Sequence, residues 1–525
     1  MPTHEADIII VGGGTAGLIP ALWYGLLNTE NEWGFNITPQ AALGGKAFRQ
    51  PQGRQLGGCS GLNGGVFIAN SAANLDAWGA LGNEGWDWET LGPYYRKKIE
   101  DLGLEYVDLD ENGVSGSVDG PIQASFPDAV NDASAGAWVR TLRGLGYTMS
   151  GDPFSGEPVL GGYINALATD PVTKTRSYSA NSYYLPVKDR PNLRVVTRVV
   201  FESSAPDAEP SATSVILSAG AINTPKLLEL FGIGSPAILN QFGIPVRVDN
   251  PHVGENLQDH AMAGVSFEVE DSYKSTLDDL ARQVPEALET AMRDYQTNRT
   301  GPFTVGGFYS SALMSLADFA DLETSATAAY FTHPSQVDFR DTGVGASHPP
   351  RPENYITIFA MLVHPLSRGS THITSVSHTA PPLIDPRYLT HPADVEILSR
   401  HVRFIDTIVS SPPFSDILKP EGVGKRSLGV PANLRTAPLD EIATYVRSAC
   451  MNNYHTTGTC AMMPREKGGV VDHRLRVYGV KGLRVVDTSV VPIISRGNTQ
   501  STVYAVAERA ADLVSEDYQY LLISL

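Results

Sequence analysis

The chain has 525 residues, of which 42% are hydrophobic, and 39 Lys and Arg against 57 Asp and Glu give it a formal net charge of −18 at pH 7. This acidity disfavours nucleic acid or an anionic membrane surface as a partner, because both repel a negatively charged protein. A mean hydropathy of −0.12 and the lack of an apolar run of about 18 residues argue against a membrane span. Three cysteines are too few for a disulfide scaffold, and they form no CxxC metal pair.

The first apolar run covers residues 7–11 and predicts a buried strand, since fully covered parallel strands are continuously apolar rather than alternating. Residues 1–6 are polar and lack the basic start and apolar core of a secretory signal. We therefore expect a cytoplasmic protein.

A glycine pattern typical of dinucleotide sites follows this strand. Gly12, Gly14 and Gly17 satisfy GxGxxG, with Thr15 and Ala16 between the last two glycines. Glycines allow the tight turn, the approach of backbone N–H groups to a pyrophosphate, and close packing of the next helix, whose positive end faces the anion. The pattern therefore predicts a dinucleotide-binding turn between a strand and a helix.

The carboxylate that normally completes such a site is absent or displaced. A second strand ending in Asp or Glu is expected about 20 residues further on, where it binds ribose hydroxyls. Glu30 and Glu32 have roughly that separation, but residues 26–32 do not have the composition of a strand. We expect both side chains to be surface carboxylates in a loop, so the nucleotide site is either remodelled or weakened.

Several further motifs occur in order from Trp33 to the last helix. They include WGFNITPQ (33–40), GRQLGGCSGLNG (53–64), SAGAINTPKLL (218–228), VGENLQDH (253–260) and YHTTGT (454–459). Through these motifs the chain resembles the glucose–methanol–choline (GMC) oxidoreductases, FAD enzymes that oxidise alcohols. One departure is the short polar stretch 202–213, where related enzymes carry more residues beside the adenine of FAD.

The resemblance implies an α/β fold in which a Rossmann-like FAD-binding domain is interleaved with an antiparallel-sheet substrate domain. Because cofactor motifs occur at both ends and in the middle, the FAD-binding domain is expected to be discontinuous, over residues 1–75, 175–265 and 450–525. Residues 76–174 and 266–449 would form the substrate-binding domain and connecting segments.

Three local predictions concern these domains. Residues 355–363 and 370–375 are strand-like and are expected to pair as a hairpin of the substrate sheet. Residues 278–298 are charged and helical and are expected to form a solvated outer helix. Thr224 and Pro225 are expected to open a helix.

The resemblance also assigns residues to the cofactor. In the motif of residues 53–64, which the resemblance identifies as the flavin loop, the glycines give the backbone the freedom to wrap a flat ligand, and the amide of Asn63 can hydrogen-bond it. Besides the five residues from Gly12 to Gly17 named above, the expected cofactor contacts are Gly58, Asn63, Gly64, Val66, Val199, Tyr454, Asp487, Asn498 and Thr499.

The reacting groups are expected near the carboxyl end. An alcohol loses hydride easily only while its hydroxyl proton is leaving, so a base is needed beside the flavin, and histidine fits. The resemblance assigns that role to His455. Asn498 cannot titrate and would orient the substrate oxygen, and it also suits the N-cap of a helix that begins at Thr499. His260 is expected to be a packed structural residue.

The sequence thus predicts an FAD-dependent alcohol dehydrogenase or oxidase. Its substrate would be a small alcohol, its electron acceptor O2 or another molecule, and no metal is expected. A non-redox lyase or cyclase on the same fold, with FAD structural or lost, stays open because the adenine side is shortened.

Overall fold

The computed structural model describes residues 8–12, 29–99, 121–126, 133–148, 156, 160–197, 214–305, 307–316, 328–337, 351–420 and 422–523. Within these ranges the helices are α1 (Ala72–Ala80), α2 (Trp88–Ile99), α3 (Ala133–Gly144), α4 (Gly220–Leu230), α5 (Pro236–Gln241), α6 (Asp278–Ala281), α7 (Pro285–Asn298), α8 (Pro392–Val409), α9 (Leu439–Ala449) and α10 (Gln500–Ile523). None of these described helices is both long enough and apolar enough to cross a bilayer.

The strands in the same ranges are β1 (Ile8–Val11), β2 (Phe35–Asn36), β3 (Arg49–Gln50), β4 (Val66–Phe67), β5 (Gly161–Ile164), β6 (Ala166–Leu167), β7 (Ser214–Leu217), β8 (Ile233–Gly234), β9 (Val248–Asp249), β10 (Ala261–Glu268), β11 (Ser310–Met314), β12 (Ala328–His333), β13 (Tyr355–Leu362), β14 (Ser370–His372), β15 (Leu383–Asp385), β16 (Met451–Asn452) and β17 (Leu483–Val485).

A parallel sheet joins segments that are far apart in the sequence. Its strand order is β1-β7-β17. The N–H of Ser218 donates to the carbonyl of Val11, and the N–H of Val486 donates to that of Leu217, both at 2.8 Å. Because parallel strands end at the same edge, the residues that follow β1, β7 and β17 lie together there, which is where α/β sheets bind ligands. This sheet agrees with the predicted α/β class.

A six-stranded antiparallel sheet, ordered β16-β10-β13-β12-β11-β5, forms the second layer. Helix α8 packs on one of its faces, where the hydroxyl of Tyr330 lies 2.8 Å from Nδ1 of His401. Successive side chains of a strand point to opposite faces, so Phe331 points away from α8. The face that carries Phe331 is the one turned toward His455, as described below.

The predicted hairpin between residues 355–363 and 370–375 is wrong. Strand β13 lies between β10 and β12, with Ile358 beside Val265 on one edge and Thr332 on the other, and β14 pairs with β15. All eight residues of β13 are buried. A strand so apolar on both faces belongs in the middle of a sheet, and it therefore takes two long partners instead of the short polar β14.

The prediction of one helix over residues 278–298 is wrong, whereas the predicted solvent exposure is confirmed for α7, in which only Ala291 and Tyr295 are buried. Two helices, α6 and α7, cover this stretch, and Pro285 begins the second. The side chain of Asp278 is buried, and it accepts hydrogen bonds from the N–H groups of Tyr355 at 2.7 Å and Gln336 at 2.8 Å. This carboxylate fixes the start of β13. The first turn of α6 is therefore buried against the sheet at Asp278.

Helix α4 begins at Gly220, four residues before the predicted start. Pro225 therefore lies inside the helix, where it cannot donate to the carbonyl four residues earlier. That carbonyl, on Ala221, instead accepts a hydrogen bond of 2.6 Å from the hydroxyl of Thr459. A side chain from a distant segment thus replaces the missing helical bond and makes the interior proline tolerable.

A partly buried cluster of three ionisable side chains joins α4, the loop before β10 and β14; Glu229 is fully buried and Glu255 is 43% exposed. The ring of His372 lies 2.7 Å from Oε1 of Glu229 through Nδ1 and 3.2 Å from Oε1 of Glu255 through Nε2. Burial lowers the pKa of His372, but the two carboxylates outweigh burial and raise the pKa to about 9. His372 is therefore protonated at neutral pH in the folded protein.

This cluster predicts a pH-dependent stability. A group whose pKa is higher folded than unfolded stabilises fully below its unfolded pKa, about 6.5, and loses that contribution as the pH rises through about 9. The full shift, from 6.5 to about 9, corresponds to about 3 kcal/mol. In thermal unfolding, the Tm advantage of the wild type over His372→Gln should be largest near pH 6 and should shrink toward pH 10. An advantage that stays constant over this range would contradict the assignment.

Candidate active site

His455 lies in the loop after β16, and its position is fixed by the residues around it. The preceding residue, Tyr454, has a left-handed backbone with φ of +62°. The N–H of His455 donates to Oδ1 of Asp259 at 2.7 Å, and the hydroxyl of Tyr388 donates to Oδ2 at 2.6 Å. Burial raises the pKa of Asp259 to about 7. This carboxyl contacts the backbone of His455, so it positions the loop.

Three polar side chains surround the imidazole of His455. Its Nδ1 lies 2.8 Å from Nδ1 of His260 and 3.4 Å from Nδ2 of Asn453, and its Nε2 lies 3.3 Å from Nδ2 of Asn498. Burial lowers the pKa of His455 to about 4, so the ring is neutral at pH 7 and can accept a proton. The two residues predicted to be catalytic thus lie within hydrogen-bonding distance.

Asn498 stands just before helix α10. The helix begins at Gln500, and the carbonyl of Thr499 accepts its first helical bond from Val503 at 3.0 Å. The cap is therefore Thr499, and the predicted cap at Asn498 is wrong by one residue. The amide of Asn498 faces His455 instead. The positive end of α10 lies beside this pair and favours negative charge there.

The flavin loop is shaped by two glycines and held by a buried arginine. Gly57 and Gly58 have φ of 100° and 49°, which a side chain would disfavour. The guanidinium of Arg176 donates to Oδ1 of Asn63 at 2.8 Å and to its carbonyl at 2.6 Å. Nδ2 of Asn63 donates to Oε1 of Gln500 at 2.5 Å. This contact joins the loop to the first turn of α10.

Two further predicted cofactor residues, Gly64 and Val66, follow Asn63 directly, and Val66 begins β4. Asp487 lies two residues after the end of β17 and makes its contacts through its side chain. Its Oδ2 accepts from the N–H of Gly220 at 2.9 Å and from the hydroxyl of Thr224 at 2.6 Å. The side chain thereby ties the edge of the parallel sheet to α4.

Of the residues in the dinucleotide pattern, Gly12 lies within the described ranges. Its φ is +124°, and a Cβ there would lie 2.3 Å from the carbonyl oxygen of Ser218, so only glycine fits. The other predicted nucleotide contacts lie outside the described residues; they are Gly14, Thr15, Ala16, Gly17 and Val199.

The prediction that Glu32 is a surface carboxylate is wrong. The residue is 5% exposed, and its carboxylate pairs with the guanidinium of Arg49 at 2.9 Å. The backbone of Glu32 also forms a β-bridge with Gly53. Glu30 is exposed, as predicted.

Two unsatisfied side chains test whether a flavin group fits this site. The amide of Gln55, in the flavin loop, and the hydroxyl of Thr457, two residues after His455, are buried without a hydrogen-bond partner among the described residues. Buried polar groups are normally paired, and a flavin ring offers both carbonyl oxygens and ring nitrogens. The flavin half of FAD therefore fits the residues present. No group of His, Cys, Asp or Glu in the described ranges is arranged to hold a metal.

The antiparallel sheet presents an aromatic face toward His455. Tyr163, Ser311, Phe331 and Phe359 stand in register on neighbouring strands, and the rings of Phe331 and Phe359 stack with centroids 4.8 Å apart. Met361 lies on the same face of β13, and its sulfur is 2.8 Å from Nδ2 of Asn453. The sheet therefore contacts Asn453, one of the three side chains around His455.

The family models described as GMC oxidoreductase match residues 6–262 and 365–507. The dehydrogenase citC of Monascus ruber is 32% identical and covers 97% of this chain and 96% of its own length, in an alignment of 623 positions. That alignment is longer than this chain, so the relative carries segments that the 525 residues lack. Versicolorin B synthase of Aspergillus parasiticus is 28% identical over 97% of this chain and 88% of its own.

Solved structures resemble this chain over nearly its full length. An FAD-dependent oxidoreductase from Chaetomium thermophilum has a TM-score of 0.80 at 25% identity, covering 98% of this chain and 100% of its own. A fungal aryl-alcohol oxidase has a TM-score of 0.75 at 25% identity, covering 98% and 99%.

Proposed function

Because this chain belongs to the GMC oxidoreductases and is an FAD-dependent oxidoreductase, we propose that it oxidises the CH–OH group of an alcohol, with His455 as the general base. The observation that carries this proposal is the contact of 3.3 Å between Nε2 of His455 and Nδ2 of Asn498. It joins a group that can take a proton to a group that can hold an oxygen.

The flavin of bound FAD supplies the acceptor for the hydride. The flavin loop with Asn63, and the edge of the parallel sheet with Gly12 and Asp487, would hold this cofactor. The residues of the chain then act on the other hydrogen of the alcohol group. His455 takes the hydroxyl proton onto Nε2 while the C–H bond breaks, and the amide of Asn498 donates to the substrate oxygen and orients it.

The pKa of His455 predicts the pH dependence of this reaction. A protonated imidazole cannot accept the hydroxyl proton, and burial holds the pKa at about 4. The rate of flavin reduction by alcohol should therefore be level from pH 8 down to about pH 5 and should fall as the pH drops through about 4. Stopped-flow measurements across this range check the profile. An acid limb near pH 6.5, the ordinary value for histidine, would show that the ring is not desolvated in the working enzyme.

Product analysis distinguishes this function from a non-redox one. Versicolorin B synthase is among the relatives, and the shortened adenine side leaves a lyase or cyclase as the second candidate. Incubation with a panel of aromatic and aliphatic alcohols, with O2 or a dye as acceptor, should yield an aldehyde or ketone and one equivalent of reduced acceptor. Cleavage or cyclisation of a substrate without reduction of the acceptor would favour the second candidate.

A further inference from the structure

His260 contacts His455 from a site that is fully buried. Its exposure is 0%, and its ring stands nearly perpendicular to that of His455, at an interplanar angle of 85° and a centroid distance of 5.1 Å. The two Nδ1 atoms are 2.8 Å apart. A hydrogen bond of this length needs one proton between the two nitrogens, so one ring must donate and the other must accept.

The other nitrogen of His260 decides which ring donates. Its Nε2 lies 3.0 Å from the carbonyl oxygens of both Val363 and Ser495. Carbonyl oxygens only accept, so Nε2 of His260 carries a proton. Burial also lowers the pKa of His260 and keeps the ring neutral, and a neutral imidazole has one N–H. Nδ1 of His260 is therefore unprotonated, and its lone pair can accept a hydrogen bond.

It follows that Nδ1 of His455 carries the proton between the rings. Nδ2 of Asn453 lies 3.4 Å from this nitrogen and donates instead to the sulfur of Met361 at 2.8 Å. Nε2 of His455 is then the unprotonated nitrogen, and it accepts the hydrogen bond from Nδ2 of Asn498 at 3.3 Å. The hydrogen-bond chain from the two carbonyls through His260 thus determines the tautomer of His455. The basic atom is the one that faces the orienting amide.

We propose that His260 is a positioning residue that holds a proton on Nδ1 of His455, so that Nε2 is the atom that takes the hydroxyl proton of the substrate. This inference rests on the proposed function. When Nε2 takes that proton, His455 becomes an imidazolium, and its Nδ1–H still points at the lone pair of His260. The acceptor therefore also stabilises the charged form of the base.

Other charged or titratable groups also face this pair. Asp259 precedes His260 and bonds the backbone of His455. His364 follows Val363. Arg496 follows Ser495 and is buried. A change in the pH profile is therefore attributed to His260 only by comparing two variants that leave all three groups in place.

Asparagine and leucine provide that comparison. Both side chains are similar in size, and both lack the Nε2–H of histidine, but only asparagine offers an oxygen near the position of Nδ1. We expect His260→Leu to slow flavin reduction by about 10–100-fold and to move the acid limb to lower pH. His260→Asn should recover most of the rate of flavin reduction, and the acid limb of its pH profile should return to the pH seen in the wild type. Equal rates and equal limbs in the two variants, with flavin content unchanged, would overturn the inference.

A measurement on the wild type covers the case in which the variants do not fold. In protein labelled with ¹⁵N-histidine, the ring resonances of His455, identified by their loss in His455→Ala, should show the proton on Nδ1. A proton on Nε2 would overturn the inference. If His455→Ala instead reduces its flavin at the normal rate, the proposed function itself fails, which separates the two results.

Discussion

His455→Ala is expected to lower the rate of flavin reduction by alcohol by about 10²–10⁴-fold, the usual contribution of a positioned general base. The imidazole is the group whose Nε2 faces Asn498, and burial keeps it neutral and able to accept a proton. Anaerobic stopped-flow spectroscopy at saturating alcohol measures the rate directly as the loss of flavin absorbance.

The matched control is His378→Ala, since His378 is an exposed histidine far along the chain from the catalytic loop. Both variants should retain the flavin content and Tm of the wild type to a similar degree. A normal rate in His455→Ala, or an equal loss in both variants, would remove His455 from the reaction.

Arg176→Met is expected to weaken the binding of FAD by about 10–10²-fold, because a hydrogen bond to a charged group contributes about 1.5–3 kcal/mol. Arg176 is 3% exposed and holds both the side chain and the carbonyl of Asn63, at 2.8 and 2.6 Å. Without it, the flavin loop loses its anchor. Fluorescence titration of the apoprotein with FAD measures the affinity.

Arg190→Met removes the same charge from an exposed position and serves as the control. It should bind FAD as the wild type does. Equal affinities in the two variants would show that Arg176 does not organise the cofactor site.

The fold class, the family and FAD as the cofactor were predictable from the sequence, and the comparisons confirm all three. Local patterns carry this information. The run of residues 7–11 and the glycine after it predict a strand and a tight turn, and β1 and the positive φ of Gly12 agree with this. The prediction that this strand is buried is wrong, because Ile8 is 37% and Ile10 63% exposed. The predicted boundaries of the discontinuous FAD-binding domain, and the catalytic roles of His455 and Asn498, stay predictions.

The errors occurred where a distant segment decides the local structure. Nothing in residues 218–228 indicates that Thr459 will replace the bond lost at Pro225. Arg176 lies more than 100 residues from Asn63, and no spacing rule joins them. The contact between His260 and His455 could not be predicted either, because the two residues are 195 positions apart. The burial of Glu32 could not be predicted from the local sequence, because its ion pair with Arg49 forms only in the folded chain.

The visible spectrum of the purified protein, recorded before and after anaerobic addition of an alcohol, tests the central claim most directly. We predict a yellow protein with a flavin spectrum that bleaches on addition of substrate and recovers when an electron acceptor is admitted. A folded protein that is colourless and takes up no FAD, or a yellow protein that no alcohol bleaches, would contradict the account.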